Sequence, residues 1–527
     1  MTDKKRILGY CMLLSLFLFS CASVDKFNAQ IDKPRSVHDL KQDVDYIQHK
    51  LETLHPDLYH YISKKDLDYK FDSLRASINT PLTSNDFYFR LSPVITSIRQ
   101  GHTQTFPLTK KLKPSEKKMV NAKGKTPLSL FDFELFDHKL YIVNNYSKDS
   151  TIHAGTEVLT VNGLKPADII DKYGPTFTSD GYNATFIPRL LGKGFPRLFF
   201  YQNGITDSVS FVLNYKDSIR AVCIKNTEKV KMPVVKTPVV KKTKMQKSIE
   251  RAESIKRQIQ GYDPLKRLYS KQLIFPVKDS SIAVMKILDF MKGNHRSFYN
   301  LSFKELNAKH TKVLILDLRD NTGGRLSDIN YLYSYLADSS FHLINKSEVV
   351  SKTSLWYFGY FNDKPLWTQA LQVVFLPFVV VADAYTFISS VKGKDHKYRF
   401  ALREARLTKP KSNGFKGKVY VLINGGSFSA SSILSSNLKE SKRATFVGDE
   451  TGGADNGCVA GFMPVSTLPN SKLTVRFGLL VCQTPFKSEK DGRGIFPDVE
   501  ITPSLKDRIN GTDPELEWVL NDAKGLH

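Results

Sequence analysis

The sequence predicts a multi-domain chain of mixed α/β class, in which helical, strand-rich and alternating segments follow one another in an α+β arrangement. Its 527 residues exceed the length of a typical single domain. Apolar residues recur at helical spacing between residues 36 and 98, and the pattern changes to short strands between 125 and 225. From about 270 to 510, buried strands alternate with helical patterns, which is typical of an α/β core.

Residues 1–21 have the features of an export signal. Lysines and an arginine at positions 4–6 precede an apolar run from Ile7 to Phe19 that is too short for a stable membrane span. The end of this segment, Leu18-Phe19-Ser20-Cys21, resembles a lipobox, in which the cysteine is acylated and becomes the mature N-terminus. We therefore expect Cys21 to anchor the protein to a membrane of the bacterial cell envelope. Ordinary secretion is the alternative, because Phe19 is bulkier than the residue usually found there.

Residues 36–105 are predicted to form a small helical bundle that ends in Gly101-His102-Thr103. Ser36 is the expected N-cap of the first helix, and Pro93 is expected to kink the third. The apolar positions that mark the three helices are Leu40, Val44, Ile47, Leu51 and Leu54, then Leu67, Phe71, Leu74 and Ile78, then Phe87, Leu91, Val94 and Ile98.

Residues 125–225 are predicted to form a β domain. Within it, Gly155 to Gly163 resembles the G-x-x-(I/V)-L-x-(I/V)-N-G hairpin of PDZ domains, which bind extended peptides by strand addition, often at a C-terminal carboxylate. No glycine-rich carboxylate loop is visible, because residues 127–133 stand where it is expected. Recognition of C-termini and a purely structural role both remain open for this module.

A strongly basic segment, residues 226–265, is predicted to be a linker. It contains the near-repeat Met232 to Lys241, which has the composition of an extended connection. The net charge of the chain is +25, but no nucleic-acid-binding motif is visible and the predicted export signal argues against a nucleic-acid partner. An anionic membrane surface is the partner that this charge favours.

Two strands of the core, which spans residues 270–510, each end in a turn of small residues. The strand from Val313 to Leu318 leads into Gly323-Gly324, and the strand from Val419 to Ile423 leads into a turn before Ser429. Parallel strands bring such turns to one edge of a sheet. Ser429 then stands at a helix start, where free N–H groups can stabilise an oxyanion. The alternative is that Ser429 is an ordinary helix N-cap.

The two turns together resemble motifs of the carboxy-terminal processing, or tail-specific, serine peptidases. D-L-R-x-N-x-G-G stands here as Asp317 to Gly324, and N-x-G-(S/T)-x-S-A-S stands as Asn424 to Ser431. The family's R-A-x-x-x-G-(D/E)-x-T-x-G matches Arg443-Ala444 followed by Gly448 to Gly453. The resemblance implies a ClpP/crotonase-like catalytic core and protein or peptide substrates. No zinc spacing, phosphate loop or dinucleotide fingerprint is present, and no cofactor or metal is implied.

The general base that many of these peptidases use is missing from its usual position. Their lysine follows the T-x-G turn, whereas the residue after Gly453 is Ala454, which has no proton acceptor. A serine hydroxyl needs a neighbouring base. The segment around His102 is similar to the G-H-T segment of lysine-free, tricorn-like members, and this resemblance implies that His102 is the base.

The same resemblance assigns the remaining site residues. It implies that the N–H groups of Ala430 and Gly324 form the oxyanion hole. The family's late segment, which corresponds here to residues 487–499, implies that Asp491 orients the imidazole. Glu489 is the alternative if the loop is offset.

Residues 342–413 interrupt the core and include the apolar stretch Leu371 to Val381. Pro377 and the short length of this stretch argue against a transmembrane helix. We expect a lid or a substrate-facing subdomain, and contact with a membrane surface is the alternative.

The sequence thus predicts an envelope-anchored serine endopeptidase, and it does not predict the oligomeric state. A catalytically inactive peptide- or lipophile-binding member of the same fold is one alternative, which Ala454 favours. A serine esterase is another, although G-x-S-x-G is absent around Ser429. Three cysteines remain outside the signal, so at most one internal disulfide can form, and Cys458 with Cys482 is the pair considered.

Overall fold

The structure is a computed structural model. It describes residues 24–122, 124–226, 243–264, 268–356, 366–488 and 490–525, with the side chains of residues 121 and 366–375 left out. The predicted signal segment with Cys21, residues 227–242 and 265 of the predicted linker, and Glu489 lie outside the described residues.

The N-terminal part of the chain is a helical bundle. Its elements are helices α1 (Val24–Ile31), α2 (Val37–Leu54), α3 (Lys64–Ser77) and α4 (Ser84–Thr96), strand β1 (Gln104–Phe106) and helix α5 (Pro114–Ala122). Ser36, Ser63 and Thr83 cap α2, α3 and α4 by accepting a hydrogen bond from the N–H three residues on. The three predicted helices are confirmed, and Pro93 lies inside the third.

A five-stranded antiparallel sheet follows the bundle. Its elements are β2 (Phe131–Phe136), β3 (Lys139–Asn145), β4 (Thr156–Val161), helices α6 (Pro166–Tyr173) and α7 (Phe186–Asn203), and strands β5 (Ser208–Tyr215) and β6 (Ser218–Lys225). The predicted change to short strands between residues 125 and 225 is confirmed. The two helices between β4 and β5 were not predicted, and α7 packs Phe195 against Phe133 of the sheet with ring centroids 5.7 Å apart.

The prediction of an extended linker over residues 226–265 is wrong for α8 (Lys244–Gln260), a helix that a Thr243–Gln246 capping box begins and Gly261 ends. The core follows with β7 (Tyr262–Asp263), β8 (Leu268–Tyr269), β9 (Lys271–Ile274), β10 (Ile282–Ile287), α9 (His295–Ala308), β11 (Val313–Asp317) and α10 (Leu326–Leu336). The predicted interruption contains β12 (Ser347–Val349), α11 (Leu366–Ser389), β13 (Ser390–Lys392) and β14 (Tyr398–Phe400). Within the described residues, no helix is both long enough and apolar enough to cross a membrane.

The chain then completes the core and its flanking sheets. These elements are β15 (Lys418–Ile423), α12 (Ala430–Glu440), β16 (Thr445–Gly448), β17 (Gly457–Ala460), β18 (Val465–Thr467), β19 (Thr474–Arg476), β20 (Leu480–Gln483), β21 (Val499–Glu500), α13 (Leu505–Asn510) and α14 (Pro514–Ala523).

The central sheet of the core has six strands in the order β21-β16-β15-β11-β10-β9, and only β9 runs antiparallel to its neighbour. Helices α10 and α12 pack on one face of this sheet, while α14 covers the other. Strands β11 and β15 are therefore buried on both faces, which explains their continuous apolar sequence. Because β11 and β15 are parallel neighbours, the two glycine-containing turns lie at the same edge, as predicted.

Two smaller sheets connect the core to the rest of the chain. Strands β13-β14-β12-β20-β17 form one sheet, and β1-β19-β18 form the other. The disulfide considered between Cys458 and Cys482 is not present, because both are free thiols, although they face each other across β17 and β20.

The bundle is fixed to the core by a buried carboxylate. Asp43 on α2 is fully buried and accepts hydrogen bonds from the N–H groups of Asn470 (2.9 Å) and Ser471 (2.6 Å), which precede β19. The Ser84 hydroxyl donates to the Ser471 carbonyl at 2.7 Å. Strand β1, which follows His102 directly, then pairs with β19.

We expect Asp43→Ala to lower the free energy of unfolding by about 1–3 kcal/mol, because two buried N–H groups lose their acceptor. The measurement is the midpoint of denaturant unfolding. The control is Asp72→Ala, whose side chain is 74% exposed on α3. Equal midpoints for the two variants would contradict a docking role for Asp43.

Candidate active site

Ser429 stands between β15 and α12 with an unusual backbone conformation. Its φ is +57° and its ψ is −121°, and its side chain makes no capping hydrogen bond to α12. The hydroxyl Oγ instead lies 2.9 Å from Nε2 of His102, a residue 327 positions earlier in the chain. Ser429 is therefore not an ordinary N-cap serine.

The turn before Ser429 interlocks with the turn after β11. The Asn424 side-chain carbonyl accepts hydrogen bonds from the N–H groups of Asp320 and Gly426, both at 2.9 Å. The Ser427 hydroxyl donates to the Leu318 carbonyl at 2.8 Å. Each turn thus provides the hydrogen-bond partners of the other, which accounts for the presence of both motifs in one chain.

The Gly323-Gly324 turn lies directly against the backbone of Ser429 and Ala430. A Cβ atom at Gly323 would stand 2.9 Å from the Ala430 nitrogen and equally close to the Ser429 Cβ, and φ at Gly323 is +96°. Only glycine fits this close approach. Within the described residues, the N–H groups of Ala430 and Gly324 donate no hydrogen bond, whereas that of Gly323 donates to the Asn321 side chain at 2.9 Å.

His102 lies in the loop between α4 and β1. Its ring contacts Phe428 at a centroid distance of 5.1 Å, and Phe428 stacks on Phe186 at 4.4 Å. Burial, together with the positive charge of Arg476, lowers the pKa of His102 to about 4. The imidazole is therefore neutral at neutral pH, and Nε2 is able to accept a proton.

Two further residues of this region are Ala454 and Cys458. Ala454, which follows the Thr451-Gly452-Gly453 turn, is buried and has no proton acceptor. Cys458 is buried next to Ser429, and this burial raises the pKa of its thiol well above the ordinary value. The thiol is therefore protonated and does not compete as a nucleophile.

Asp491 is not where the sequence predicted it. Its carboxylate contacts His60 Nε2 at 3.0 Å and accepts a hydrogen bond from Asn456 at 2.6 Å, and it has no described contact with His102. His60 also pairs with Asp57 at 3.1 Å, and the two carboxylates raise the pKa of His60 to about 9. The predicted acid therefore belongs to a different histidine.

Two contacts of the residues that follow Asp491 explain why it faces away from His102. The Gly492 carbonyl accepts a hydrogen bond from the Tyr182 N–H at 2.7 Å, and Arg493 pairs with Glu450 at 2.6 Å. These two contacts turn the loop so that Asp491 faces the helical bundle.

The structure identifies a carboxylate that the sequence did not, Asp180. It is buried, and its two oxygens accept hydrogen bonds from the N–H groups of Gly101 (2.7 Å) and Ala454 (3.5 Å). Burial raises the pKa of Asp180 to about 6 despite these hydrogen bonds. Asp180 thus joins the loop of His102 to the loop beside Ser429.

The loop that contains Asp180 connects the segment before His102 with the segment before Ala454. The Gly181 N–H donates to the Arg99 carbonyl at 2.8 Å, and the Asn183 side chain donates to the Thr451 carbonyl at 2.8 Å. The loop lies between β4 and β5 and has no periodicity. An Asp-Gly turn dipeptide is its only sequence signal, and this is too common to indicate a site.

We expect Asp180→Ala to lower both the unfolding midpoint and the reactivity of Ser429, because the N–H groups of Gly101 and Ala454 lose their acceptor. Asp180→Asn keeps one acceptor oxygen and should fall between wild type and Asp180→Ala. The measurements are thermal unfolding and the rate of serine labelling, with the exposed Asp171→Ala as control. Wild-type labelling by Asp180→Ala would contradict a role for Asp180 at the site.

Parts of the amino-acid sequence match known proteins. Residues 281–501 match the model of peptidase family S41. A carboxy-terminal-processing protease of Bartonella bacilliformis is 34% identical over 98 residues, which are 19% of this chain and 21% of that protein. The match thus spans about a fifth of that relative's length.

Solved structures resemble nearly the whole chain. Mature CPAF in complex with lactacystin has a TM-score of 0.58 at 15% identity, covering 93% of this chain and 99% of its own. Mature CPAF alone has a TM-score of 0.55 at 16% identity, with coverages of 92% and 96%. At such identities the likeness concerns the fold, and it confirms the multi-domain α/β arrangement.

Proposed function

We propose that this chain, whose residues 281–501 match peptidase family S41, is a serine endopeptidase in which Ser429 is the nucleophile and His102 the general base. The observation that carries the proposal is the 2.9 Å distance between Ser429 Oγ and His102 Nε2. The low pKa of His102 supports it, because a neutral imidazole is the form that can take the serine proton.

The reaction follows from these positions. Ser429 Oγ attacks the carbonyl carbon of a peptide bond while its proton passes to His102 Nε2. The tetrahedral intermediate collapses, the C–N bond breaks, and His102 returns the proton to the leaving amine. Water then hydrolyses the acyl ester on Ser429, with His102 again taking and returning a proton.

The N–H groups of Ala430 and Gly324 would hold the oxyanion of the intermediate. Both are without an intramolecular acceptor in the described part of the chain, and Ala430 begins α12, where the helix dipole also favours negative charge. Loss of one donor of this kind typically lowers the rate by roughly two to three orders of magnitude.

Asp491 has no part in this proposal, because its described contacts are with His60 and Asn456. Asp180 acts as a positioning residue through the Gly101 N–H, beside the base.

Protein or peptide chains are the substrates that we propose. The family match and the name of the Bartonella relative, a carboxy-terminal-processing protease, support this class. The sheet β2–β6 would present an extended segment to the site if it acts as a PDZ domain does, by strand addition.

We place the protein in the cell envelope, held there by a lipid on Cys21. The lipobox-like end of residues 1–21 supports this location. The net charge of +25 supports it as well, because the surfaces of bacterial membranes are anionic.

A non-catalytic binding protein of the same fold is the second candidate. The observation that favours it is Ala454, which removes the lysine that many related enzymes use. A binding protein has no need of an activated serine, so the reactivity of Ser429 separates the two candidates.

We expect the wild-type protein to react covalently with a fluorophosphonate probe and to cleave an unfolded protein substrate. Ser429→Ala should abolish both activities, and His102→Ala should lower both by about two to four orders of magnitude, because the base is lost. The matched control is Ser431→Ala, whose hydroxyl is buried two residues away and has no hydrogen-bond partner in the described structure. If folded wild type does not label, the binding protein becomes the better candidate.

The pH dependence should follow His102. Its pKa is lowered to about 4, so the imidazole loses its ability to accept a proton only as the pH falls through that value. We expect the fluorophosphonate labelling rate to be constant from neutral pH down to about pH 5 and to fall below it. Circular dichroism at each pH controls for unfolding. A midpoint near 6.5, the ordinary value for histidine, would contradict the burial argument.

A further inference from the structure

The described part of helix α11 exposes large apolar side chains and buries polar ones, the reverse of α2 in the bundle. Four large apolar side chains of α11 follow one another at spacings of three and four residues and are strongly exposed: Phe378 (73%), Val381 (69%), Tyr385 (55%) and Ile388 (75%). We call these four residues the apolar stripe. In contrast, Leu40, Val44, Ile47 and Leu51 of α2 occupy equivalent positions and are fully buried.

The two buried side chains in the described part of α11 are polar. Asp383 and Thr386 are 7% and 8% exposed, and the Thr386 hydroxyl donates to the Asp383 carbonyl at 2.9 Å. Ser390, directly after the helix, is fully buried. A helix that buries its polar residues and exposes its apolar ones is suited to an apolar environment outside the protein.

The orientation of α11 is fixed by contacts at its C-terminal end. Tyr385 packs edge-on against Phe400 of β14 at 6.1 Å, and Phe387 packs against Trp356 at the same distance. The ammonium group of Lys352 lies 4.8 Å from the centroid of the Phe387 ring. The exposure of the apolar stripe is therefore a property of a helix that is attached to the sheet β13-β14-β12.

The surroundings of the stripe are basic. Lys392 and Lys394 are exposed immediately beyond the helix. The acidic residues Glu348 and Asp395 nearby are already paired, Glu348 with Lys397 at 2.8 Å and Asp395 with Arg399. Because these pairs also neutralise Lys397 and Arg399, the remaining charged residues between α11 and residue 412 are the basic Lys392, Lys394, Arg403, Arg406, Lys409 and Lys411 and the acidic Glu404.

From this combination we infer that α11 lies flat on an anionic phospholipid surface, with the apolar stripe in the boundary between headgroups and acyl chains. An interfacial helix has this pattern of large apolar and aromatic residues flanked by lysines. An interfacial helix of this kind lies in the plane of the membrane surface and does not need to cross the bilayer.

The charges favour a membrane over a second copy of this chain. In a two-fold symmetric dimer each surface meets its own equivalent, so the basic residues around α11 would approach each other and repel. Phosphatidylglycerol headgroups offer these residues the opposite charge. The inference agrees with the proposed envelope location but depends on none of residues 1–21 and on no catalytic residue.

The test is flotation of the protein with lipid vesicles. The chain from Ala22 onward keeps every residue that the structure describes and lacks the predicted signal and anchor. We expect it to bind vesicles that contain phosphatidylglycerol and to bind pure phosphatidylcholine vesicles much more weakly. The triple variant Phe378→Ser, Val381→Ser and Ile388→Ser should weaken this binding by about tenfold or more. The double variant Lys392→Glu and Lys394→Glu should weaken the binding and reduce its salt dependence.

The matched control removes the same amount of exposed apolar surface elsewhere. Tyr69, Met119 and Ile219 are 73%, 61% and 66% exposed, and their triple substitution by serine should leave vesicle binding unchanged. Circular dichroism of each variant reports on its folding. Ser429→Ala should bind vesicles like the wild type, so a failure of the peptidase proposal is distinguishable from a failure of this one.

Three outcomes would overturn the inference. The first is wild-type binding by the triple variant of the apolar stripe, or no binding by the wild-type chain. The second is a dimer, seen by light scattering, that this variant abolishes, since the stripe would then join two copies. The third is a triple variant of the apolar stripe that binds vesicles like the wild type but has an increased KM for peptide substrates, which would make α11 part of the substrate site.

Discussion

The site depends on a backbone conformation at Ser429 that residues other than glycine rarely adopt. A residue with φ of +57° and ψ of −121° is destabilised by about 1–3 kcal/mol, so the surroundings must hold it in place. Gly323 packs against it from one side, and Gly453 from another, since a Cβ at Gly453 would lie 2.9 Å from the Ser429 nitrogen. Asn321 accepts the Phe428 N–H through its carbonyl at 3.0 Å. The glycine motifs therefore stabilise the bend at Ser429. This bend directs the Ser429 hydroxyl away from α12.

The direction of that hydroxyl matters because its partner comes from another part of the fold. His102 reaches Ser429 only when the bundle is joined to the core by Asp43, by β1 pairing with β19, and by Asp180. The same closure removes water from the imidazole and lowers its pKa. The position and the protonation state of His102 thus have a common cause, which is its burial between the helical bundle and the core.

The parts of this architecture that could be predicted are those with local signals. Buried strands, small-residue turns and the motifs around Ser429 and Gly324 are encoded in short stretches, and they lie where the sequence indicated. Helix α7 was missed because Gly192, Gly194 and Pro196 interrupt its pattern. Asp491 was misassigned because register along a chain does not reveal which way a loop turns. Asp180 could not be predicted, since its partners Gly101 and Ala454 are distant in sequence and contribute only backbone atoms.

The separation of His102 and Ser429 by 327 positions has a consequence for the life of the chain before it is mature. Synthesis proceeds from the N-terminus, so His102 is made long before Ser429, whereas residues 281–501 folded alone contain the serine and both proposed oxyanion donors but no base. With the roles proposed above, neither part by itself endangers neighbouring unfolded proteins, because the site is complete only when the helical bundle has docked on the core.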